Sequence, residues 1–321
     1  MRIVFFGSGP FGEECLRWLS ASGHELLEVV TQPARPTGRG RKVASTPIGQ
    51  LAEDLGLVVR ESDNVNDPAF VARLGSLRPQ VLLVIAFGQK LGPALLGRPE
   101  FRTVNLHGSL LPKYRGAAPV NWAIIRGEKE TGLTLIEMDE GWDTGAILGQ
   151  VKTAIGPGET AGELYDRLAA MGPKLLAEVL EQIAQRKDRP RPQDEALASR
   201  APKLNKSDGA IRWSLPARTI CNHIHGMWPW PGAFCYLRQQ GRNRQERLSL
   251  ARAAVLPSPE PSGGQEAENL PGSLAEDMSV VCGQGRLQLL EVKPEAGKRM
   301  PFADFVNGRH LQKQDRFLDG G

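Results

Sequence analysis

The sequence predicts an α/β protein that begins with a doubly wound parallel sheet and ends with a small all-β domain. Apolar runs and amphipathic segments alternate through the first 126 residues, as in parallel sheets whose strands are joined by helices. The run QVLLVIAF at 80–87 is almost continuously apolar, which is typical of a strand buried on both faces. At 186–202 the sequence RKDRPRPQDEALASRAP loses apolar periodicity, and short alternating runs follow it.

Each element of the first part follows from the length and spacing of these patterns. Strands are expected at 2–7, 25–31, 57–60, 80–87 and 103–107, and helices at 10–20, 46–55, 66–77 and 117–126. Two further strands, 132–138 and 146–152, flank a loop. The capping box Thr160-Ala-Gly-Glu163 predicts the start of another helix, which Gly172-Pro173 is expected to kink or divide.

The change in composition divides the chain into a first domain at 1–187, a linker at 188–204 and a second domain at 205–321. Prolines and charges dominate the linker, as they do at many domain boundaries. Beyond it, turn residues separate short alternating runs, which indicates a small β-barrel. These runs lie at 233–237, 247–253, 279–282 and 287–292.

Composition and charge limit the classes of function. Of the 321 residues, 40% are hydrophobic and 24% charged, which is ordinary for a globular protein and excludes a disordered or collagen-like chain. Positive and negative side chains balance in residues 1–200, so the net charge of +4 falls entirely in 201–321. A polyanionic partner and an ordinary solvated surface are both compatible with this excess.

The cysteines and the apolar segments bear on where the protein works. Cys15, Cys221, Cys235 and Cys282 lack the spacing of zinc or redox motifs, so we expect reduced thiols and no metal site. No apolar stretch approaches the roughly 20 residues of a membrane span, and the apolar run after Arg2 is too short for a signal peptide. We therefore expect a cytoplasmic protein that binds neither a membrane nor a metal.

The glycine-rich start of the chain has two interpretations. Gly7-Ser8-Gly9-Pro10-Phe11-Gly12 matches the dinucleotide-binding pattern G-x-G-x-x-G between a strand and a helix. That pattern also needs an acidic residue about 20 positions later, where this sequence has Gln32. Arg35 is suited to a 2′-phosphate, which leaves an NADP-dependent oxidoreductase open. A tight turn that needs glycine for close packing explains the same residues.

The strongest local pattern is NLHGSLLP at 105–112. Because side chains alternate along a strand, Asn105 and His107 share one side at the carboxyl end of a predicted strand, where doubly wound folds bind ligands. Asp143 follows the next strand, within reach of His107. An amide that donates to an oxyanion, an imidazole that moves a proton and a carboxylate that orients it together predict acyl transfer. A structural histidine and a turn aspartate are the alternatives.

No Ser or Cys lies in a nucleophile elbow, so the expected reaction is direct attack by a substrate amine rather than formation of a covalent enzyme intermediate.

Residues 105–145 resemble the signature of the folate-dependent formyltransferases. The shared motifs are Asn-x-His-Gly-Ser-Leu-Leu-Pro, Arg-Gly-Ala-Ala-Pro and Met-Asp-x-Gly-x-Asp-Thr-Gly, with further landmarks at 32–42, 81–88 and 228–232. The resemblance implies a Rossmann-like catalytic first domain that binds folate and an OB-like second domain that binds tRNA.

The resemblance also implies roles for individual residues and a formyl donor, 10-formyltetrahydrofolate. The catalytic trio is matched by Asn105, His107 and Asp143. The folate-binding segment is matched by Ser109, Leu110, Leu111 and Pro112, and Phe87–Lys90 is expected to border the pterin pocket. The family usually has Gly-Thr-Pro after the first strand, so Gly7-Ser8-Gly9 is a departure from its pattern. The resemblance therefore implies that the match to the dinucleotide-binding pattern is accidental. Trp142, where Leu is frequent, is a second departure.

A basic loop, PARPTGRGRK at 33–42, carries four positive charges and two glycines. Such a loop can follow phosphates and stack on unpaired bases, although its charge alone also fits a solvated loop. The resemblance implies contact with the acceptor end of initiator tRNA, through Arg39 first and then Arg41 and Lys42.

We therefore expect a monomer that formylates methionyl initiator tRNA. A sugar-nucleotide N-formyltransferase, an NADP-dependent oxidoreductase and a non-catalytic RNA-binding protein are the alternatives.

Overall fold

The computed structural model describes residues 1–37, 42–98, 100–241, 245–257 and 270–321. The chain forms two compact units. The first contains Met1–Gly116, Thr131–Thr153 and Tyr165–Ala201, and the second contains Ala117–Glu130, Ala154–Leu164 and Pro202–Gly321. The second unit thus includes two segments from within 1–187, and the boundaries 1–187, 188–204 and 205–321 stay a prediction.

Each strand predicted from the sequence is present to within a few residues, whereas the strands at 35–37, 42–44, 300–301 and 316–318 were not predicted. In chain order the strands are β1 (Arg2–Gly7), β2 (Glu25–Thr31), β3 (Arg35–Thr37), β4 (Lys42–Ala44), β5 (Val59–Glu61), β6 (Val81–Ile85), β7 (Arg102–His107), β8 (Glu130–Glu137), β9 (Ile147–Ala154), β10 (Ala233–Arg238), β11 (Glu246–Val255), β12 (Val280–Val281), β13 (Arg286–Pro294), β14 (Met300–Pro301) and β15 (Arg316–Leu318).

The helices begin at residues that favour helix starts. Thr46 and Asp67 accept hydrogen bonds from backbone N–H groups of the first turns of α2 and α3, and a proline occupies the first position of each helix. In chain order the helices are α1 (Glu13–Ser20), α2 (Pro47–Asp54), α3 (Pro68–Ser76), α4 (Pro119–Ile125), α5 (Ala161–Ala184), α6 (Ala217–Met227) and α7 (Phe302–Arg309).

The sheet of the first unit has the strand order β5-β2-β1-β6-β7-β8-β9. Along this order, every neighbouring pair among β5, β2, β1, β6 and β7 is parallel. This confirms the predicted parallel sheet for these five strands. β8, whose direction the sequence did not predict, runs antiparallel to β7. The reason is that α4, the helix between them, belongs to the second unit and does not form a βαβ crossover.

Apolar side chains cover both faces of this sheet. Val4 and Phe6 of β1 share a buried cluster with Val71 and Leu74 of α3. Phe5 points the other way and lies beside Gly12, where α1 begins. Every residue of β6 is buried. The sheet is therefore doubly wound, and the continuous apolar run at 80–87 has the origin that the sequence indicated.

Helix α5 runs without interruption from Ala161 to Ala184. The capping box at its start is present, because Thr160 N donates to Glu163 and Glu163 N donates back to Thr160 Oγ1. The helix continues through Pro173, so of the expected kink or division at Gly172-Pro173 the division is wrong. A Cβ at Gly172 would lie 2.7 Å from the sulfur of Cys15. Close approach to α1, rather than a break, explains the glycine.

The second unit contains an antiparallel sheet with the order β12-β13-β11-β10-β15, and β14 pairs with β13. Trp213, Phe317 and Ile224 of α6 belong to its buried core, and the two aromatic rings lie 5.9 Å apart. α4 packs on α6, where Asn121 Nδ2 donates to Gly226 O at 2.8 Å. The predicted barrel-like second domain is confirmed.

The four cysteines are free and buried. Burial raises the pKa of Cys15 and of Cys282 to about 12 and that of Cys221 to about 11, and it also raises the pKa of Cys235. All four are therefore thiols, not thiolates, at neutral pH. Among the described helices, none is both long enough and apolar enough to cross a bilayer.

Candidate active site

Strand β7 places Asn105 and His107 at the carboxyl edge of the parallel sheet. Val84 of β6 pairs with Asn105, and the strand ends at His107. Leu106, between them, points to the opposite face and is buried near Gly172 of α5. His107 is buried and Asn105 is half-buried. The alternation along one strand therefore delivers two polar groups to the same side.

The loop between β8 and β9 brings Asp143 to the same place. Asp139 Oδ1 accepts hydrogen bonds from Gly141 N and Thr144 Oγ1 and holds the loop in a compact turn. Asp143 has a φ of 55°, in the left-handed region that Asp tolerates better than most residues. A Cβ at Gly145 would lie 1.8 Å from Glu137 O, so this position accepts only glycine. The residues of the motif MDEGWDTG therefore form one tight loop.

The three predicted catalytic side chains meet around the Asp143 carboxylate. Its Oδ1 lies 3.5 Å from Asn105 Nδ2, and its Oδ2 lies 3.5 Å from His107 Nδ1. Gly116 N also donates to Oδ2, at 2.9 Å. The carboxylate therefore bridges the amide and the imidazole. Over the described ranges, no three His, Cys, Asp or Glu side chains cluster as metal ligands would.

The contacts of His107 determine which of its ring nitrogens faces Asp143. Its Nε2 lies 2.9 Å from Tyr114 O, and since a carbonyl only accepts, Nε2 carries a proton. The Nδ1 edge then faces Asp143. The ring is therefore held with Nδ1 directed to the place where the three groups meet.

Comparison with known proteins assigns the chain to a family. A sequence pattern described as "Formyl transferase" matches residues 1–180, and one described as "Formyl transferase, C-terminal domain" matches residues 203–310.

The chain belongs to the formyltransferase family.

Curated relatives match almost the whole chain. A protein of Citrifermentans bemidjiense named methionyl-tRNA formyltransferase is 41% identical over 97% of this chain and 95% of its own length. A protein of the same name from Heliobacterium modesticaldum is 40% identical over 99% of this chain and 100% of its own length. The family recognised from residues 105–145 is therefore confirmed, and the protein is a formyl-transferring enzyme.

Solved structures share the fold. WlaRD, a sugar 3N-formyl transferase crystallised with dTDP and 5-N-formyl-THF, has a TM-score of 0.63 at 17% identity over 93% of this chain and 99% of its own. Methionyl-tRNA formyltransferase from Clostridium thermocellum has a TM-score of 0.54 at 17% identity over 80% of this chain and 94% of its own. These likenesses confirm the Rossmann-like first domain and barrel-like second domain expected of the family.

The segment expected to bind the folate donor holds its own shape with two of its side chains. Ser109 is fully buried and donates to Lys113 O at 2.7 Å. Leu111 is buried, and its N donates to Thr134 Oγ1. Leu110 and Pro112 are half-buried. A ligand can therefore meet this segment through Leu110, Pro112 and the backbone, while Ser109 and Leu111 support it.

The segment Phe87–Lys90, expected to border the pterin, follows β6 at the same edge of the sheet. Phe87 is buried against Phe6, with ring centroids 5.4 Å apart. The ammonium of Lys90 lies 5.6 Å from the ring centroid of Trp142, which is 67% exposed. The departure at Trp142 thus places a large exposed aromatic ring directly before Asp143.

The glycine-rich turn after β1 is used for packing. Ser8 N and Gly9 N both donate to Ala86 O, at 3.2 and 3.0 Å. In a dinucleotide fold the backbone of such a turn approaches a pyrophosphate. Here those donors are already bonded to the loop after β6, and a Cβ at Gly7 would lie 2.5 Å from the Phe5 ring. The turn therefore supports the packing interpretation and not the NADP interpretation.

The residues predicted to contact tRNA belong to the basic loop at 33–42. Arg39 and Arg41 lie outside the described residues, as does the side chain of Lys42. Of the predicted basic loop, residues 35–37 form β3 and residue 42 begins β4, and these two strands pair antiparallel.

Sequence reasoning missed two residues next to the trio. Arg115 forms a bidentate ion pair with Glu195, and these hydrogen bonds raise its pKa above the usual range. Arg115 also donates to Gln193 Oε1, and Gln193 Nε2 donates to Asp143 O. Arg115 belongs to the motif Arg-Gly-Ala-Ala-Pro, which could have prompted a search for its partner. Gln193 lies in a proline-rich stretch without apolar periodicity, so the sequence held no signal for it.

We expect Gly145→Ala to damage the site through the loop of Asp143. The new Cβ would collide with Glu137 O, so the loop must shift and carry Asp143 away from His107. Because misplacement by about 1 Å can cost about 100-fold in rate, kcat for formyl transfer should fall at least about tenfold and the midpoint of thermal unfolding should drop. Gly75→Ala, in α3 with no atom within 4 Å of its Cβ, is the matched control and should preserve both. Wild-type kcat in Gly145→Ala would contradict the tight-loop argument.

Proposed function

We propose that the protein transfers the formyl group of 10-formyltetrahydrofolate to the α-amino group of methionyl initiator tRNA. The observation that carries this proposal is the meeting of Asn105, His107 and Asp143 at the sheet edge in a chain of the formyltransferase family. The acceptor is supported by relatives named methionyl-tRNA formyltransferase that are about 40% identical over nearly the full chain.

The chemistry of the three side chains suits a carbonyl addition. The neutral amine of the acceptor attacks the formyl carbon, and the carbonyl electron pair moves to the formyl oxygen. The Asn105 amide and the Nδ1–H of His107 donate hydrogen bonds to that oxygen as it becomes negative. When the carbonyl forms again, the bond from carbon to N10 breaks, N10 gains a proton and the attacking amine loses one. Asp143 orients His107 and stabilises its charge.

Direct transfer is supported by the state of the four cysteines and of Ser109. Burial raises the pKa of each cysteine, so none is a thiolate at neutral pH. The Ser109 hydroxyl, near the trio in sequence, is buried and donates to Lys113 O. These groups are unsuited to carrying a formyl ester or thioester. The structure therefore favours a single addition and elimination on the substrate carbon.

The tRNA role is proposed for two regions of the sequence. We infer that the basic loop at 33–42 contacts the acceptor end through Arg39, Arg41 and Lys42. Residues 205–321 would bind the rest of the tRNA, consistent with the positive excess of the C-terminal part. Residues 1–187 would carry the chemistry.

We further propose that the enzyme acts as a monomer in the cytoplasm, which light scattering of the purified protein and cell fractionation would check.

The acceptor is tested by offering three amines to one enzyme. Purified protein with 10-formyltetrahydrofolate should formylate Met-charged initiator tRNA in preference to Met-charged elongator tRNA, and should leave an amino-sugar nucleotide unreacted. Transfer only to the sugar nucleotide would keep the catalytic trio and overturn the tRNA proposal. RNA binding without any transfer would favour the non-catalytic alternative.

Asn105→Ala should lower kcat by about 100- to 1,000-fold, because one oxyanion donor is lost. The circular dichroism spectrum and thermal midpoint should stay close to wild type, since the half-buried side chain makes a long contact of 3.5 Å. Asn307→Ala, at an exposed position of α7, is the control for the substitution itself. A kcat near wild type in Asn105→Ala would remove Asn105 from the catalytic trio.

Arg39→Ala should weaken tRNA binding and reduce its dependence on salt. Each phosphate contact contributes about 0.9 to the slope of log K against log salt for a duplex, so the slope should shrink by about one. Lys187→Ala removes the same charge from an exposed position beyond α5 and serves as the matched control. If both variants bind tRNA with the wild-type affinity and slope, Arg39 is not part of the RNA site.

A further inference from the structure

The segment 191–201 is attached to the turns around the candidate site by backbone hydrogen bonds. Arg115 N donates to Ser199 O at 2.8 Å, and Ala201 N donates to Arg115 O at 2.7 Å. At the other end of the segment, Arg191 and Ile147 exchange two hydrogen bonds, at 2.7 and 2.9 Å. Both ends of the segment are therefore fixed, one to the turn after β7 and one to the start of β9.

Between these two attachments, Gln193 turns inward from an exposed stretch. Its neighbours Pro192 and Asp194 are exposed, whereas Gln193 is half-buried. Its Nε2 donates to Asp143 O and to Gly145 O, each at 2.8 Å. One side-chain amide therefore binds the carbonyls on both sides of the tight loop turn.

The opposite end of the same amide is held by Arg115. Its Nε and Nη2 donate to Gln193 Oε1 at 3.1 and 2.8 Å. Arg115 is itself fixed by two hydrogen bonds to Glu195, at 2.8 and 2.6 Å. A guanidinium has only donors and a carbonyl only accepts, so the amide orientation is determined by its partners. Glutamate lacks the donor for the two carbonyls, and leucine lacks both functions.

This arrangement controls the position of a residue whose backbone is unusual. Asp143 has a φ of 55°, and its carboxylate reaches His107 and Asn105 only at 3.5 Å. At that distance a small rotation of the loop separates the carboxylate from one of its partners. Pinning the carbonyls of Asp143 and Gly145 restrains that rotation.

We propose that Gln193 is a positioning residue of the formyl-transfer reaction, which holds the Asp143 loop through its two carbonyls while Arg115 holds Gln193. This inference rests on the proposed function, because it assigns Gln193 a role through Asp143. It touches no substrate itself and works by fixing the carboxylate that orients His107.

A double-mutant cycle in the full-length enzyme tests the proposal. Gln193→Leu should lower kcat by about 10- to 100-fold with smaller changes in the KM of either substrate, because catalytic geometry is lost. In an Asp143→Asn enzyme, whose kcat is already reduced, the same Gln193 change should lower kcat by less than about threefold, since the group that it positions no longer acts. A purely structural role predicts the same fold-loss in both backgrounds, and that result would overturn the inference.

Two further variants separate positioning from general damage. Gln193→Glu keeps the acceptor for Arg115 but loses both donations, so its kcat should resemble that of Gln193→Leu; wild-type activity would refute the role of the amide donors. Gln185→Leu makes the same substitution at an exposed position directly after α5 and should leave kcat unchanged. Wild-type kcat in Asp143→Asn would overturn the catalytic trio and this inference together. A fall in Asp143→Asn with wild-type kcat in Gln193→Leu would overturn the inference alone.

Discussion

The carboxylate of Asp143 joins three separate segments of the first unit, and the order of the active site depends on it. Oδ1 faces the amide of Asn105, while Oδ2 faces His107 Nδ1 and accepts the N–H of Gly116. These contacts require positive φ angles at Gly116, 119°, and at Asp143, 55°. A Cβ at Gly116 would also lie 2.7 Å from Ala201 O, so the turn that supplies the N–H is closely packed. The site is therefore built by two tight turns against one strand rather than by a preformed groove between helices.

The sequence was most informative where one physical requirement acted over several residues. β6 had to be apolar on both sides because the sheet is covered on both faces, and it is entirely buried. Asn105 and His107 share a side because the period of a strand is two. The same reasoning located Asp143 only roughly, since a loop has no period. Asp143 can approach His107 only because residue 145 is glycine, since a Cβ there would collide with a backbone carbonyl of β8. That collision depends on the fold and not on the local sequence pattern.

The sequence was least informative where backbone hydrogen bonds, not apolar burial, determine the structure. Residues 191–201 contain prolines and charges and show no hydrophobic period, yet they bond to Arg115 and Ile147 through main-chain groups. Pattern analysis detects side chains that leave water, and Gln193 gives no such signal because it is only half-buried among exposed neighbours. The sequence likewise left the direction of β8 open. An amphipathic helix between two strands predicts a crossover, but α4 packs on α6 in the second unit instead.

The way in which Asp143 is held also affects the electrostatics of the site. His107 commits its Nε2 to a backbone carbonyl, so in the proposed reaction protons enter and leave the imidazole at Nδ1, the edge next to the carboxylate. A cation bonded directly to that carboxylate would compete with the imidazolium for it. Arg115 is instead paired with Glu195, and its hold on the loop passes through the neutral amide of Gln193 to backbone carbonyls. The network can therefore fix the position of Asp143 while its negative charge remains directed at His107.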